Sequence, residues 1–105
     1  MTVVYEVLVR CEETVADRLS AYMTGRHLPD ILNTGCFASI EFEQSAAGVF
    51  RTRYKAATQA DLDRYLAEHT AAMRDDFMAH FPTGVLGVER VNWTHLVTLD
   101  AAKIA

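Results

Sequence analysis

Residues 3–11 alternate without a break. Val3, Tyr5, Val7, Val9 and Cys11 point to one side, and Val4, Glu6, Leu8 and Arg10 to the other. A period of two rich in β-branched and aromatic residues makes a strand, and the wholly apolar side needs a cover. The other side is mixed: too charged for a core, too apolar for a face meant only for water.

Helical segments downstream of this strand can supply the cover. Thr14-Val-Ala-Asp17 is a helix-start signal, with threonine at the N-cap and a carboxylate in the first turn. Val15, Leu19, Tyr22 and Met23 then recur at helical spacing. Gly25 weakens this helix, and Pro29 pushes Leu28 away from helical ψ, so a kink is predicted here. Pro29 can open a second short segment, because its missing N–H costs nothing there. Ile31 and Leu32 would bury, and Gly35 suits the left-handed position after a helix. Met23 to Phe37 is therefore read as a bent helix pair.

Alternation returns from Cys36 to Glu43, and again from Val49 to Ala56 after a turn at Gln44–Gly48. A loop with an odd number of residues pairs equal parities, so Ile40 and Phe42 share a face with Phe50, Thr52 and Tyr54. Glu41 and Glu43 then face Arg51 and Arg53, a favourable cross-strand arrangement. Thr58-Gln-Ala-Asp61 repeats the helix-start signal. Leu62, Tyr65, Leu66, His69, Met73, Phe77, His80 and Phe81 mark one continuous stripe, ended by Pro82 and Gly84. Val85 to Leu99 reads as the last strand, with a bend or bulge near Gly87, before a short frayed tail.

The order β-α-β-β-α-β, with right-handed crossovers, predicts a single ferredoxin-like α+β domain over residues 1–105. It has a four-stranded antiparallel sheet with two helices on one face. The helix-free face would carry Val4, Leu8, Phe37 and Leu96 among Glu6, Glu41, Arg51, Arg53 and Arg90. A homodimer closing two such faces into a dimeric α+β barrel resolves that mixture; a solvated face with scattered apolar residues is the alternative.

Composition removes several functions. The formal charge of −4 argues against nucleic acid, which requires a basic face. No apolar run approaches the ~20 residues of a membrane span, and residues 1–11 lack a signal-peptide layout, so the cytoplasm is the expected compartment. Cys11 and Cys36 would lie at opposite ends of the sheet, about 25–30 Å apart at ~3.3 Å per residue, too far for a bridge.

The four histidines do not form a metal site by spacing: His69 and His80 sit about 16 Å apart along a helix. No nucleophile elbow or glycine-rich phosphate loop is present, and no cofactor is expected. The best single chemical candidate is His27, beside a proline-imposed bend near a helix end, able to act as acid, base or ligand anchor. It can equally serve only to hydrogen-bond carbonyls left without a donor by Pro29. Trp93, Tyr5, Tyr54 and His95 are expected to line the gap between sheet and helices, as a ligand site or simply as core. Arg51, Arg53 and Arg90 can hold an anion or pair with Glu6, Glu41 and Glu43.

The pattern His27-x-Pro29-x-x-Leu32-x-Thr34-Gly35-x-Phe37, preceded by Tyr22-Met23 and followed by Tyr54, Tyr65 and Phe81, resembles a family of small bacterial proteins. That family is known as a domain of unknown function within the dimeric α+β barrel superfamily. The resemblance runs along the whole chain and implies a ferredoxin-like fold and a dimer, but no activity. The superfamily includes cofactor-independent monooxygenases, haem-degrading enzymes and small-ligand sensors, so fold does not choose among them. Three readings are open: a dimer that binds a small organic molecule or serves a structural role; a cofactor-independent oxygenase or isomerase of small aromatic or dicarbonyl compounds; and a module that recruits another protein.

Overall fold

The strand at residues 3–11 can bury its apolar side only if neighbours align with it on both edges, and they do. The computed structural model describes residues 1–103; Ile104 and Ala105, the end of the expected tail, lie outside the described residues. Strand β1 (Val3–Cys11) pairs antiparallel with β3 (Val49–Ala56) on one side and β4 (Val85–Thr94) on the other. β2 (Ser39–Ala46) adds to the outer edge of β3, giving the order β2-β3-β1-β4. Helices α1 (Glu13–Tyr22), α2 (Leu28–Leu32), α3 (Gln59–Glu68) and α4 (Thr70–His80) fill the two crossovers. This is the ferredoxin-like α+β arrangement that the alternation predicts.

Register decides which residues face the helices, because directly opposed residues point to the same side of a sheet. Tyr5 lies opposite Tyr54 and Asn92, Val7 opposite Thr52 and Arg90, and Val9 opposite Phe50 and Val88. These form the covered face. Val4 lies opposite Lys55 and Trp93, Glu6 opposite Arg53 and Val91, and Leu8 opposite Arg51 and Glu89. The uncovered face therefore differs from expectation. Arg90 is on the helix side, Phe37 is buried in the core, and Leu96 lies beyond the strand. Val91 and Trp93 take their places, 42% and 49% exposed.

The hairpin keeps the expected equal parity by a different route. Ile40 opposes Tyr54 and Phe42 opposes Thr52, but only Ala47 and Gly48 form the turn, and a register shift between Gln44 and Ala46 supplies the odd residue. Strand β2 thus begins at Ser39, after Cys36 and Phe37 have packed into the core. In β4 a shift opposite Arg10 and Cys11, beside Gly87, is the anticipated bulge; pairing ends at Thr94, short of the predicted Leu99. Cys11 and Cys36 are both free and buried.

On the helix side Leu19, Ile31 and Leu62 are sealed, each contributing about 1.5–3 kcal/mol by its burial. Helix α1 starts at Glu13 instead of after Thr14, because Cys11 N–H is held by Gly48 O (2.8 Å) and Glu12 N–H by Gly84 O (2.8 Å). Thr58 does cap α3, its hydroxyl accepting from Asp61 N–H at 3.2 Å. The predicted single stripe from Leu62 to Phe81 breaks at His69 (φ −122°, ψ −31°). Past the break α4 has no fully buried residue and does not settle onto the sheet.

Pro29 does not push Leu28 out of the helix: Leu28 keeps φ −69°, ψ −43°. Met23–His27 instead widens into a π-turn, with Leu28 N–H bonded to Met23 O, five residues back. The extra residue lets the chain pass through the proline without a break. Leu32 is 45% exposed, so of the pair expected to bury only Ile31 does. Gly35 takes φ +75°, as a residue after a helix should.

Gly48 combines φ +74° with close approach: a Cβ there would sit 2.3 Å from the Cys11 carbonyl oxygen. The left-handed conformation alone costs a non-glycine residue about 1–2 kcal/mol, and the clash adds to it. Gly48→Ala should lower stability in chemical denaturation by at least that amount, with unchanged midpoint showing the contact to be slack.

Candidate functional site

Because α4 stands off the sheet, a cavity of about 340 Å³ opens between them. Val7, Val9 and Val88 form its sheet wall; Met73, Phe77 and Met78 form the wall on α4. At its inner end Tyr5, Tyr54 and Tyr65 meet, with ring centroids 5.7 to 6.5 Å apart, backed by Phe37 at 4.9 Å from Tyr65. Burial pushes the Tyr54 phenol well above its usual range and that of Tyr65 up to about 12, so both stay protonated at neutral pH.

His27 enters the same cavity from the π-turn. In a regular helix residues five apart point about 140° away from each other. The widened turn cancels most of that angle, and the rings of Tyr22 and His27 lie 5.5 Å apart, with Tyr22 Oη 3.3 Å from His27 Nδ1. Tyr22 O–H donates to Asp76 Oδ2 at 2.6 Å. Asp76 is gripped side-on by Arg26, whose Nε and Nη2 donate at 3.0 and 2.8 Å. These bonds hold the Asp76 carboxyl far below the usual carboxylate range.

The chain Arg26–Asp76–Tyr22–His27 has a directional consequence. The single hydroxyl proton of Tyr22 is committed to the carboxylate, so its oxygen can only accept from the imidazole. His27 thus carries its proton on Nδ1, leaving a lone pair on Nε2. That atom has no hydrogen-bond partner among the described residues, and no fully buried side-chain polar atom among them lacks one. Nε2 is therefore not sealed. Burial pushes the His27 pKa below its ordinary value, opposed by Asp76 and Asp30, so the ring is neutral at pH 7 and can accept a proton.

Three of the sequence-predicted residues converge at this cavity: His27, Tyr5 and Tyr54. The other two do not. Trp93 pairs with Val4 and so lies on the uncovered face, because the even-numbered residues of β4, from Val88 to Thr94, are the ones turned to the helices. His95 lies past the end of β4, its N–H donating to Thr2 O at 2.9 Å, where it lines a shallow concavity with Val4, Glu41 and Lys55. On that face Arg51 pairs with Glu43 at 2.6 Å and Arg53 with Glu6 at 3.2 Å. Asp76, Arg26, Tyr65 and Arg74 were not anticipated as site residues. Tyr22, Arg26 and His27 beside Gly25 and Pro29 carried a signal, since five residues can share a face only across a widened turn. No group of three or more His, Cys, Asp or Glu residues forms a metal cluster among the described residues.

Folded His27 resists a proton that the unfolded chain accepts at its ordinary pKa of about 6.5. Its contribution to stability is complete above that pH and is lost as pH falls from there towards the lowered folded value. Imidazole ¹⁵N NMR at pH 7 should find the proton on Nδ1 and titration below the ordinary value. Tyr22→Phe should erase the Nδ1 preference; an Nε2–H tautomer in the unaltered protein would refute the assignment.

No helix among the described residues is long and apolar enough to cross a membrane. No curated protein matches the chain by sequence. Solved structures share its fold. A monooxygenase from the ActVA-Orf6 gene of Streptomyces coelicolor, in complex with nanaomycin D, superposes with a TM-score of 0.73 at 16% identity, covering 92% of this chain and 89% of that one. Rv0793 from Mycobacterium tuberculosis gives 0.72 at 12% identity, covering 95% and 100%. SnoaB, a cofactor-independent oxygenase from Streptomyces nogalater, gives 0.69 at 12%, covering 93% and 96%. At such identities the likeness is one of fold alone. The sequence itself goes further: residues 2–92 match the family model described as Domain of unknown function (DUF4286), and the chain belongs to that family.

Proposed function

We propose that the protein binds a small organic molecule with an apolar, ring-bearing body in the cavity between α4 and the sheet. One observation carries this reading. The gap is not filled by side chains, and its volume of about 340 Å³ falls within the range of small-molecule sites. The walls are mainly apolar and aromatic, while the polar groups that would orient a ligand, His27 and the phenols of Tyr5 and Tyr65, belong to different elements.

A second reading is an enzyme acting on a small aromatic or dicarbonyl compound without a cofactor, as oxygenase or isomerase. The tautomer of His27 favours it: Nε2 can take a proton from an acidic O–H or C–H, leaving an imidazolium and the ligand anion. Two neighbours in fold are described as a monooxygenase and a cofactor-independent oxygenase, which supports the architecture of a cavity and no more.

The functional unit we infer is a homodimer joined through the helix-free face. Support comes from Val91 and Trp93, half-exposed on that face beside Val4 and Leu8. The cytoplasm is the proposed compartment, consistent with two buried, unbridged cysteines.

Titration with 1-naphthalenemethanol, followed by amide NMR, should perturb Tyr5, Tyr54, Met73 and Phe77. Met73→Trp should abolish the response by filling the space. Shifts confined to the opposite face would contradict the cavity as the site. A 1,3-dicarbonyl compound in heavy water separates the two readings: exchange accelerated by the protein but not by His27→Gln marks an enzyme, and equal rates leave binding alone. Sedimentation at micromolar concentration should give twice the 11.7 kDa protomer mass. Trp93→Glu should return it to a single chain, and a monomeric unaltered protein would refute the dimer.

A further inference from the structure

The basic residues divide unevenly between the two sides of the sheet. Arg10, Arg26, Arg51, Arg53 and Arg64 each have a carboxylate partner, and so does Lys55. Arg18 lies over the Phe81 ring at 5.0 Å. Arg74 and Arg90, both lining the cavity, have no carboxylate partner among the described residues. Acids are not scarce: the chain has 14 Asp and Glu against 10 Lys and Arg. None of those acids lines the cavity.

The two guanidinium groups approach the opening from opposite walls, Arg74 on α4 and Arg90 on the edge strand β4. Arg74 Nη2 donates to Tyr5 Oη at 3.4 Å, so it leans towards the tyrosines. Arg90 is close enough to Tyr54, and Arg74 to Tyr65, for each cation to oppose the rise that burial imposes on that phenol. Two cations thus bracket an apolar space without an internal counter-charge. A guanidinium matches a carboxylate by paired, parallel hydrogen bonds, and the apolar walls require that the carboxylate be attached to a hydrophobic body.

We propose that the cavity selects an organic carboxylate with an aromatic or apolar body, its anionic end held by Arg74 and Arg90 at the mouth and its body seated against Val7, Met73 and Phe77. This rests on the cavity being a small-molecule site and adds the charge of the ligand. The protein's overall negative charge would repel such an anion, so the local pair supplies the attraction, and affinity should fall as salt rises.

Calorimetry with 1-naphthoate and its neutral counterpart 1-naphthalenemethanol tests this. Naphthoate should bind about tenfold more tightly, as expected for a charge-assisted hydrogen bond near solvent. Arg74→Gln and Arg90→Gln should each remove most of that preference while leaving affinity for the alcohol within about twofold. Both side chains are exposed, and thermal melting checks that each variant is folded; either alone suffices. Equal affinity for acid and alcohol, or a preference indifferent to both substitutions, overturns the anion proposal and leaves the cavity reading standing. Failure of both compounds to bind overturns the two together.

Discussion

The register of β1 against its two neighbours is the constraint on which the rest of the molecule depends. Once Tyr5, Val7 and Val9 are matched with Tyr54, Thr52 and Phe50 on one side, and with Asn92, Arg90 and Val88 on the other, the two faces have no remaining freedom. A slip of one residue in either pairing would exchange the tyrosines for glutamate and arginine. The shifts at Gln44–Ala46 and beside Gly87 are therefore adjustments at the sheet margins that leave the central pairing intact. Everything chemical in the molecule rests on that pairing: the tyrosines meet because β1 and β3 present them side by side, and Arg90 faces the cavity because β4 is in step with β1.

Much of this was legible in the residues. Strands declare themselves by a period of two that needs only local information, so β1, β3 and the hairpin parity could be read directly. The orientation of β4 could not. Both of its sides are mixed, and Val91 and Trp93 make its odd side look like the one that should be buried. Which side goes inward depends on partnering with a distant strand, and there the less apolar side won. That outcome leaves apolar surface on the uncovered face, where Trp93 joins Val4 and Leu8. His95 was misplaced for a related reason: the alternation continues past Thr94, but pairing does not.

The site was half legible. His27, Tyr5 and Tyr54 were identified from residue type and parity, but their supporting residues were hidden by two departures from regular helix. The widened turn brings Tyr22 and His27 together, and the break at His69 lets α4 carry Asp76 to Tyr22 and Arg26. An uninterrupted stripe from Leu62 to Phe81 would have packed Met73 and Phe77 onto the sheet and left no cavity. Irregular helix geometry is thus what separates a site from a filled core, and spacing rules built on 3.6 residues per turn do not report it.

The same turn determines how the chain can change length. Removing one residue between Tyr22 and Leu28 would restore ordinary winding, but everything beyond would rotate by about 100° around the axis. Ile31 and Leu28 would swing out of the interior and Pro29 would swing in. Thr24-Gly25-Arg26 has the composition of a tolerant surface connection, yet it works as a spacer of set size, so insertions and deletions there should be among the least accommodated in the molecule.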